Sequence, residues 1–288
     1  MNFRTFTFTY TPFRMKKIRR NFFLSWFGIC FLFQVSCDTP PEVRKDPSPS
    51  NSSVSKPTSV IDQVKETSDL ETFELPKAKL WSVDNYKQYS ESNYEKYPAF
   101  NKRIDFKNID YPLLNAAVFY ETNARRVQMK LPSLVYSQAL ERICIDHSND
   151  MVKLDFYSHN SPVKGRETPA KRMEIVGIKN AYSAENINIG YGITYKDNEP
   201  VYPPSENKSG FFSYTLDGPP IPNQTYASLA MMVVTSWMNS PGHRRNILNE
   251  NLKYLGVGSA HYKDTKAHNM DKFKITQAFA SIPGEYPK

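Results

Sequence analysis

The sequence predicts an α+β fold, a three-layer α-β-α sandwich with a small antiparallel sheet between helices. Apolar residues recur every three or four positions in the middle of the chain, as in helices with one buried face. Two strand-like stretches, 255–262 and 273–280, flank a polar turn near the C-terminus and predict an antiparallel hairpin. A third strand-like stretch covers the second half of 182–190.

Capping residues define the predicted helices in chain order. A first helix runs from Tyr111 to near Lys130, and Ser137 is placed to cap a second one. A short helix over 169–176 stops before a glycine, and an amphipathic helix covers 226–238. The inward stripe of the second helix consists of Leu140, Ile143, Cys144, His147, Met151 and Leu154. Between these helices, the proline-rich stretch 191–225 is too long for a connector and is predicted to be an elaborated surface loop or lid.

The positive charge of the chain is concentrated at the N-terminus. The formal net charge is +8, but residues 1–37 hold six basic residues and no acidic one. The remainder has 31 basic and 29 acidic residues, which is an ordinary soluble surface. This distribution argues against nucleic-acid binding.

The N-terminal segment 1–37 has the order of a targeting signal. A basic run, 16–20, precedes an apolar stretch too short for a confident membrane span. The ending Ser36-Cys37 resembles a bacterial lipoprotein cleavage site and makes Cys37 the candidate for lipidation. An ordinary signal peptide and an N-terminal anchor are the alternatives, and Met15 is an alternative start to Met1. Each of these alternatives places the rest of the chain outside the cytoplasm.

The exported part divides by composition. Residues 38–75 are rich in Pro, Ser, Thr and Lys and predict a flexible tether, and 76–110 predict an irregular N-terminal extension. The main domain is expected over 111–283. Only Cys144 remains there, so no intramolecular disulfide is expected, and a thiol on an inward helical stripe is normally inert.

His243 is the first candidate functional residue, because its local geometry controls its chemistry. Ser240 and Pro241 are typical of a helix start, which places His243 in the first turn, where the helix dipole favours the neutral ring. A neutral imidazole can bind a metal or accept a proton. A surface histidine at a helix start is the alternative.

Two more polar residues, His159 and Glu185, stand at element boundaries where distant parts of a chain can meet. Together with His243 they could bind Zn²⁺ with one open position or act as a general acid–base set. Their spacing contains no short-range ligand motif. His147, on the inward stripe of the second helix, is interpreted as a hydrogen-bonded core histidine.

A series of short motifs resembles the CAP superfamily, the SCP-domain proteins related to cysteine-rich secretory proteins, in its bacterial extracytoplasmic branch. The motifs occur in the expected order, and they are residues 139–151, 156–159, 184–187, 237–244, 256–258 and 276–279. The resemblance implies a three-layer α-β-α sandwich. It also implies a cleft with two histidines and two glutamates that often hold a divalent metal.

The motifs align only part of that cleft. His159 matches the first family histidine and Glu185 matches the glutamate of the Glu-Asn pair. Ser240-Pro241-Gly242-His243 replaces the second glutamate region, and Lys274 stands in place of the last histidine. The resemblance therefore implies two metal ligands, His159 and Glu185, and His243 is a branch-specific residue of the cleft region. A metal site of His159, Glu185 and His243, for zinc, magnesium or calcium, and a cleft without a metal are the alternatives.

Two functions follow from this resemblance. The first is a membrane-tethered envelope protein whose cleft binds a lipid, a peptide or a glycan, with the aromatic residues of 191–225 either covering the ligand or packing locally. The alternative is a peptidase-like hydrolase in which His159 or His243 is the base, Glu185 orients it or binds metal, and metal-bound water is the nucleophile.

Overall fold

The computed structural model describes residues 81–196 and 199–285. The described residues all belong to one compact unit. The predicted signal segment 1–37, the tether 38–75 and the candidate lipidation site Cys37 lie outside the described residues. Within the described part, no helix is both long enough and apolar enough to cross a bilayer.

Five α-helices and four strands form the part of the domain that the structure describes. The helices are α1 Tyr111–Gln128, α2 Gln138–Lys153, α3 Pro169–Ile175, α4 Tyr226–Asn239 and α5 Pro241–Ile247. The strands are β1 Val135–Tyr136, β2 Ser183–Tyr191, β3 Tyr254–Asp264 and β4 Met270–Ala280. Short 3₁₀-helices lie at Val83–Lys87, Tyr94–Lys96, Pro98–Asn101 and Thr265–Ala267.

The sheet has the strand order β1-β3-β4-β2. Strands β3 and β4 form the predicted antiparallel hairpin, and β2 pairs antiparallel with β4 along its whole length. Strand β1 pairs with β3 in parallel through Val135 and Tyr136, which makes the sheet mixed. The predicted small antiparallel sheet therefore has one additional, short parallel strand at its edge.

Helices cover both faces of the sheet, which confirms the three-layer sandwich. Helix α2 packs so closely on β3 that a Cβ at Gly256 would lie 2.1 Å from the Glu141 amide nitrogen. On the opposite face, a Cβ at Gly190 would lie 2.9 Å from the Leu229 side chain of α4. Neighbouring residues of β2 therefore face different helices, and this alternation determines which side chains meet at the site.

The N-terminal segment 81–110 packs its aromatic side chains against α1. Trp81 is 1% exposed and its ring lies 5.1 Å from Phe100 and 5.8 Å from Tyr120, between centroids. Tyr94 stacks on Tyr120 at 5.2 Å. This segment adds its own rings to the main hydrophobic core.

The loop 191–225 has a separate small core. Ile193, Val201 and Ile221 are buried there with Ala267 and Met270 of the β3–β4 turn. The aromatic residues packed against this cluster are Tyr191, Tyr195, Phe212 and Tyr214. Since the turn lies at the Tyr191 end of β2, these rings pack locally, about 20 Å along the strand from Glu185.

Candidate functional site

Glu185 is the centre of the candidate site. It lies near the start of the edge strand β2, opposite Ala278 of β4, and faces the α2 layer. Its side chain is 5% exposed. Burial alone would raise the pKa of this carboxyl, but the hydrogen bond from His159 and the charge of Arg172 outweigh burial and lower it. Glu185 is therefore ionised at neutral pH.

Arg172 of α3 is the counter-ion of Glu185. Its Nη2 donates to Glu185 Oε2 at 2.6 Å and to the backbone oxygen of His159 at 2.8 Å. Its Nη1 donates to the Arg166 backbone oxygen at 2.9 Å. Because this guanidinium is 1% exposed, one buried cation fixes both the carboxylate and the loop that carries His159.

His159 lies beside Glu185, in the loop that follows α2. Its Nδ1 is 2.8 Å from Glu185 Oε1, and 46% of its side chain is exposed. An ionised carboxylate can only accept hydrogen bonds, so Nδ1 carries a proton, and in the neutral form of the ring Nε2 is the acceptor. The His159–Glu185 pair thus presents an oriented imidazole acceptor.

His243 approaches this pair from α5. Burial lowers the pKa of its imidazole, and the nearby His159 lowers it further. Pro241 occupies the start of α5 as predicted, but the Ser240 side chain makes no capping hydrogen bond. The structure therefore brings His159, Glu185 and His243 into one region, with His243 neutral.

A buried amide network holds α5 against the sheet. Asn186, next to Glu185, faces the opposite layer and donates to the His243 backbone oxygen at 3.3 Å and to Gln277 Oε1 at 3.1 Å. Asn246 Nδ2 donates to Asn186 Oδ1 at 2.8 Å. The Glu185-Asn186 pair therefore connects both histidine-bearing segments to one strand.

His147 lies in the buried layer next to Glu185 and contacts the loop that carries His159. Its Nε2 lies 3.0 Å from the Ser158 backbone oxygen and 3.9 Å from Glu185 Oε1, and the ring is fully buried. Burial lowers the pKa of His147 to about 4, so the ring is neutral and its Nε2–H donates to Ser158. The interpretation as a hydrogen-bonded core histidine is confirmed.

Of two other residues considered from the sequence, Lys274 lies apart from the site, and Cys144 lies buried beside it, within electrostatic reach of Glu185 and Arg172. Lys274 donates to the backbone oxygens of Met151 and Phe156, at 2.7 and 2.9 Å, and secures the end of α2. Its register places it four residues, or about 13 Å, along β2 from Glu185. Cys144 is buried, as expected, and burial raises the pKa of its thiol well above the usual value.

The geometry does not fit a divalent cation at Glu185. Both carboxylate oxygens are engaged, Oε1 by His159 and Oε2 by Arg172. A metal at this carboxylate would lie against a buried guanidinium, and like charges at such a distance repel strongly in a protein interior. Within residues 81–196 and 199–285, no three His, Cys, Asp or Glu side chains are grouped to hold a metal.

Arg172 is a site residue that belongs to no recognisable sequence motif. The signal available was its spacing: Arg172 lies four residues before Val176, the C-cap of α3, and both are buried. An arginine on the apolar face of a helix needs an acidic partner. Glu185 is that partner.

Comparison with known proteins agrees with this fold. The family model described as "Cysteine-rich secretory protein family", CAP, matches residues 119–279. The Bacillus subtilis protein YkwD is 29% identical over 137 residues, which is 48% of this chain and 38% of YkwD. The B. subtilis membrane protein YlbC is 27% identical over 137 residues, which is 48% of this chain and 29% of YlbC. The chain thus matches less than two fifths of either relative.

Solved structures are similar at lower identity. An extracellular SCP-domain protein of Bacillus anthracis is 24% identical, with a TM-score of 0.39, over 60% of this chain and 42% of that one. An outer surface protein of Borrelia burgdorferi is 17% identical, with a TM-score of 0.34, over 57% of this chain and 90% of that one. The family model covers more than half of the chain, so this protein belongs to the cysteine-rich secretory protein (CAP) family.

Proposed function

We propose that this protein is exported and that its His159–Glu185 pair, with His243, binds a polar ligand of the cell envelope, a glycan or a peptide. The observation that carries this proposal is the exposed imidazole oriented by a buried, arginine-paired carboxylate. An oriented Nε2 lone pair accepts from a hydroxyl or amide donor. Glycans and peptides are rich in both.

A polar ligand is favoured over a lipid by the packing of the loop 191–225. Tyr191, Tyr195, Phe212 and Tyr214 are packed against the small core beside the β3–β4 turn. The polar groups of His159 and His243, rather than these rings, are therefore the groups near Glu185 that can contact a ligand. We propose binding without a metal, because Arg172 already neutralises the carboxylate.

Export is proposed from the basic and apolar order of residues 1–37, with Cys37 as the lipid anchor. The B. anthracis and B. burgdorferi proteins are described as extracellular and outer surface proteins. The test is metabolic labelling with a fatty acid. Label on the wild-type chain that is lost in Cys37→Ser supports the anchor, and an unlabelled wild-type chain contradicts it.

The binding test begins with native mass spectrometry of residues 38–288 purified from an envelope extract. Soluble peptidoglycan fragments are then titrated while the imidazole nitrogens are followed by NMR. Loss of a charge-oriented hydrogen bond in His159→Ala should weaken binding about tenfold or more. Glu185→Gln should weaken it by releasing the ring.

His268→Asn is the matched control, because it removes an exposed imidazole outside the site and asparagine tolerates the positive φ of 53° at this position. Affinity in EDTA should equal affinity with added zinc, magnesium or calcium. Fragments that bind equally to wild type and His159→Ala would contradict the proposed site. An affinity that requires one of these ions would contradict binding without a metal.

Hydrolysis is the second candidate, since the His159–Glu185 hydrogen bond also suits a general base. The nucleophile would be water, because the Cys144 thiol is buried. Cleavage of a peptide or glycan library that is lost in Glu185→Gln, at an unchanged melting temperature, would favour this candidate. Equal turnover by the two proteins would exclude the proposed role of Glu185.

A further inference from the structure

A cavity of about 100 Å³ lies between the 3₁₀-helix 83–87 and the first turns of α1 and α2. Its wall includes the rings of Trp81, Tyr86 and Tyr136, and it also includes the Glu141 carboxyl. None of the residues that line it belongs to the His159–Glu185 pair. Trp81 and Tyr86 precede residue 119, where the family match begins, so this cavity depends on a segment outside that match.

The Glu141 carboxyl is hydrogen-bonded in the cavity wall but has no cationic partner. Tyr136 donates its hydroxyl to Oε2 at 2.5 Å, and Asn115 Nδ2 donates to Oε1 at 3.4 Å. Among the residues that the structure describes, no Lys, Arg or His side chain forms an ion pair with it. Burial raises the pKa of Glu141 to about 7, because the cost of desolvating its charge outweighs the hydrogen bonds from Tyr136 and Asn115.

Aromatic rings complete the wall around this carboxyl. Tyr86 and Tyr136 stack at 3.9 Å with 13° between their planes. Trp81 meets Tyr86 edge-on, at 5.6 Å and 89°. Aromatic faces attract cations through the ring quadrupole, and a carboxylate beside them adds a direct counter-charge. An ammonium group that carries small alkyl substituents can interact with both the aromatic rings and the carboxylate.

We propose that this cavity binds a small organic cation of the alkylammonium class, with its charge next to Glu141 and its carbon atoms against Trp81 and Tyr86. A cavity of about 150 Å³ holds benzene, so about 100 Å³ accommodates a headgroup rather than a large molecule. The rest of such a ligand would extend towards solvent.

Choline is the test probe, with 3,3-dimethylbutan-1-ol as its neutral isostere. The indole N–H signal of Trp81 in residues 38–288 reports binding by NMR, and the Trp237 signal reports the integrity of the core. Choline should shift the Trp81 signal with saturation. The neutral alcohol should bind about tenfold more weakly, because it lacks the charge.

Glu141→Gln keeps the shape of the side chain and should lose the choline response while the Trp237 signal is unchanged. Val83→Trp leaves Glu141 in place, fills the cavity and should also lose the response. His159→Ala should respond as wild type does.

Three results would each overturn the proposal: no saturable shift in wild type, equal affinity for choline and the neutral alcohol, or an equal response in wild type and Glu141→Gln.

Discussion

A single buried side chain, Arg172, determines how the candidate site is organised. Buried ion pairs rarely stabilise a fold by much, because desolvation of both charges offsets their attraction. This ion pair instead positions the site, because Arg172 binds the carboxylate of Glu185 and the backbone of His159 at once. The exposed imidazole therefore rests on groups that cannot move independently of the core.

His147 makes the stability of the protein depend on pH. Burial lowers the pKa of the folded-state imidazole to about 4, below its unfolded value of about 6.5. The unfolded state therefore binds a proton first as the pH falls, and stability is lost between pH 6.5 and 4. The full difference corresponds to about 3 kcal/mol in the free energy of unfolding. We expect urea denaturation to show a smaller loss between pH 7.5 and 4.5 in His147→Gln than in wild type.

Glutamine at position 147 retains an N–H donor for Ser158 and cannot be protonated in this range. His268→Asn, which removes an exposed imidazole far from His147 in the sequence, is the matched control. Parallel pH profiles for wild type and His147→Gln would show that His147 does not cause the loss.

The residues at the site were predictable to different degrees. His159 and Glu185 stand in recognisable motifs at element boundaries, and the structure places them in hydrogen-bond contact. Arg172 acts through a partner 13 residues away on another element. A local sequence pattern carries no information on such a pair, so only the folded geometry shows it.

At the scale of elements, two glycines of β3 set the distance between α2 and the sheet. A Cβ at Gly258 would lie 2.1 Å from the Ile145 amide nitrogen, and the contact is with helix backbone, which cannot rotate away. We expect Gly258→Ala to lower the free energy of unfolding by about 3 kcal/mol or more, because α2 must move off the sheet. Urea denaturation of residues 38–288 measures this change.

Gly242→Ala is the matched control, because the nearest atom to its new Cβ would be Arg245 Nη2 at 3.9 Å. This glycine lies in α5, where alanine is the better helix former by about 1 kcal/mol. Equal or greater stability of Gly258→Ala would show that α2 can move without cost.

The long helices and strands were predictable from the sequence, and the two-residue strand β1 was not. The stripe of α2 and the strand-like stretches of β3 and β4 extend over many residues, so they are clear in the sequence. Strand β1 has only two residues and its pairing partner is more than a hundred positions away. No period can be read from two residues, and a parallel pairing leaves no turn signal between its strands.

At the scale of the whole molecule, the folding unit is larger than the family match. The match begins at residue 119, whereas the main hydrophobic core includes Trp81, Tyr94 and Phe100 from the preceding segment. Burial of each such side chain contributes about 1.5 to 3 kcal/mol before the entropy of ordering the segment is subtracted.

A chain of residues 108–288 should therefore unfold at a lower urea concentration than residues 76–288 and bind a hydrophobic dye through its uncovered α1 face. Residues 38–288 should match residues 76–288, because the additional stretch has the composition of a tether. Equal midpoints for residues 108–288 and 76–288 would show that the aromatic segment covers the domain without stabilising it.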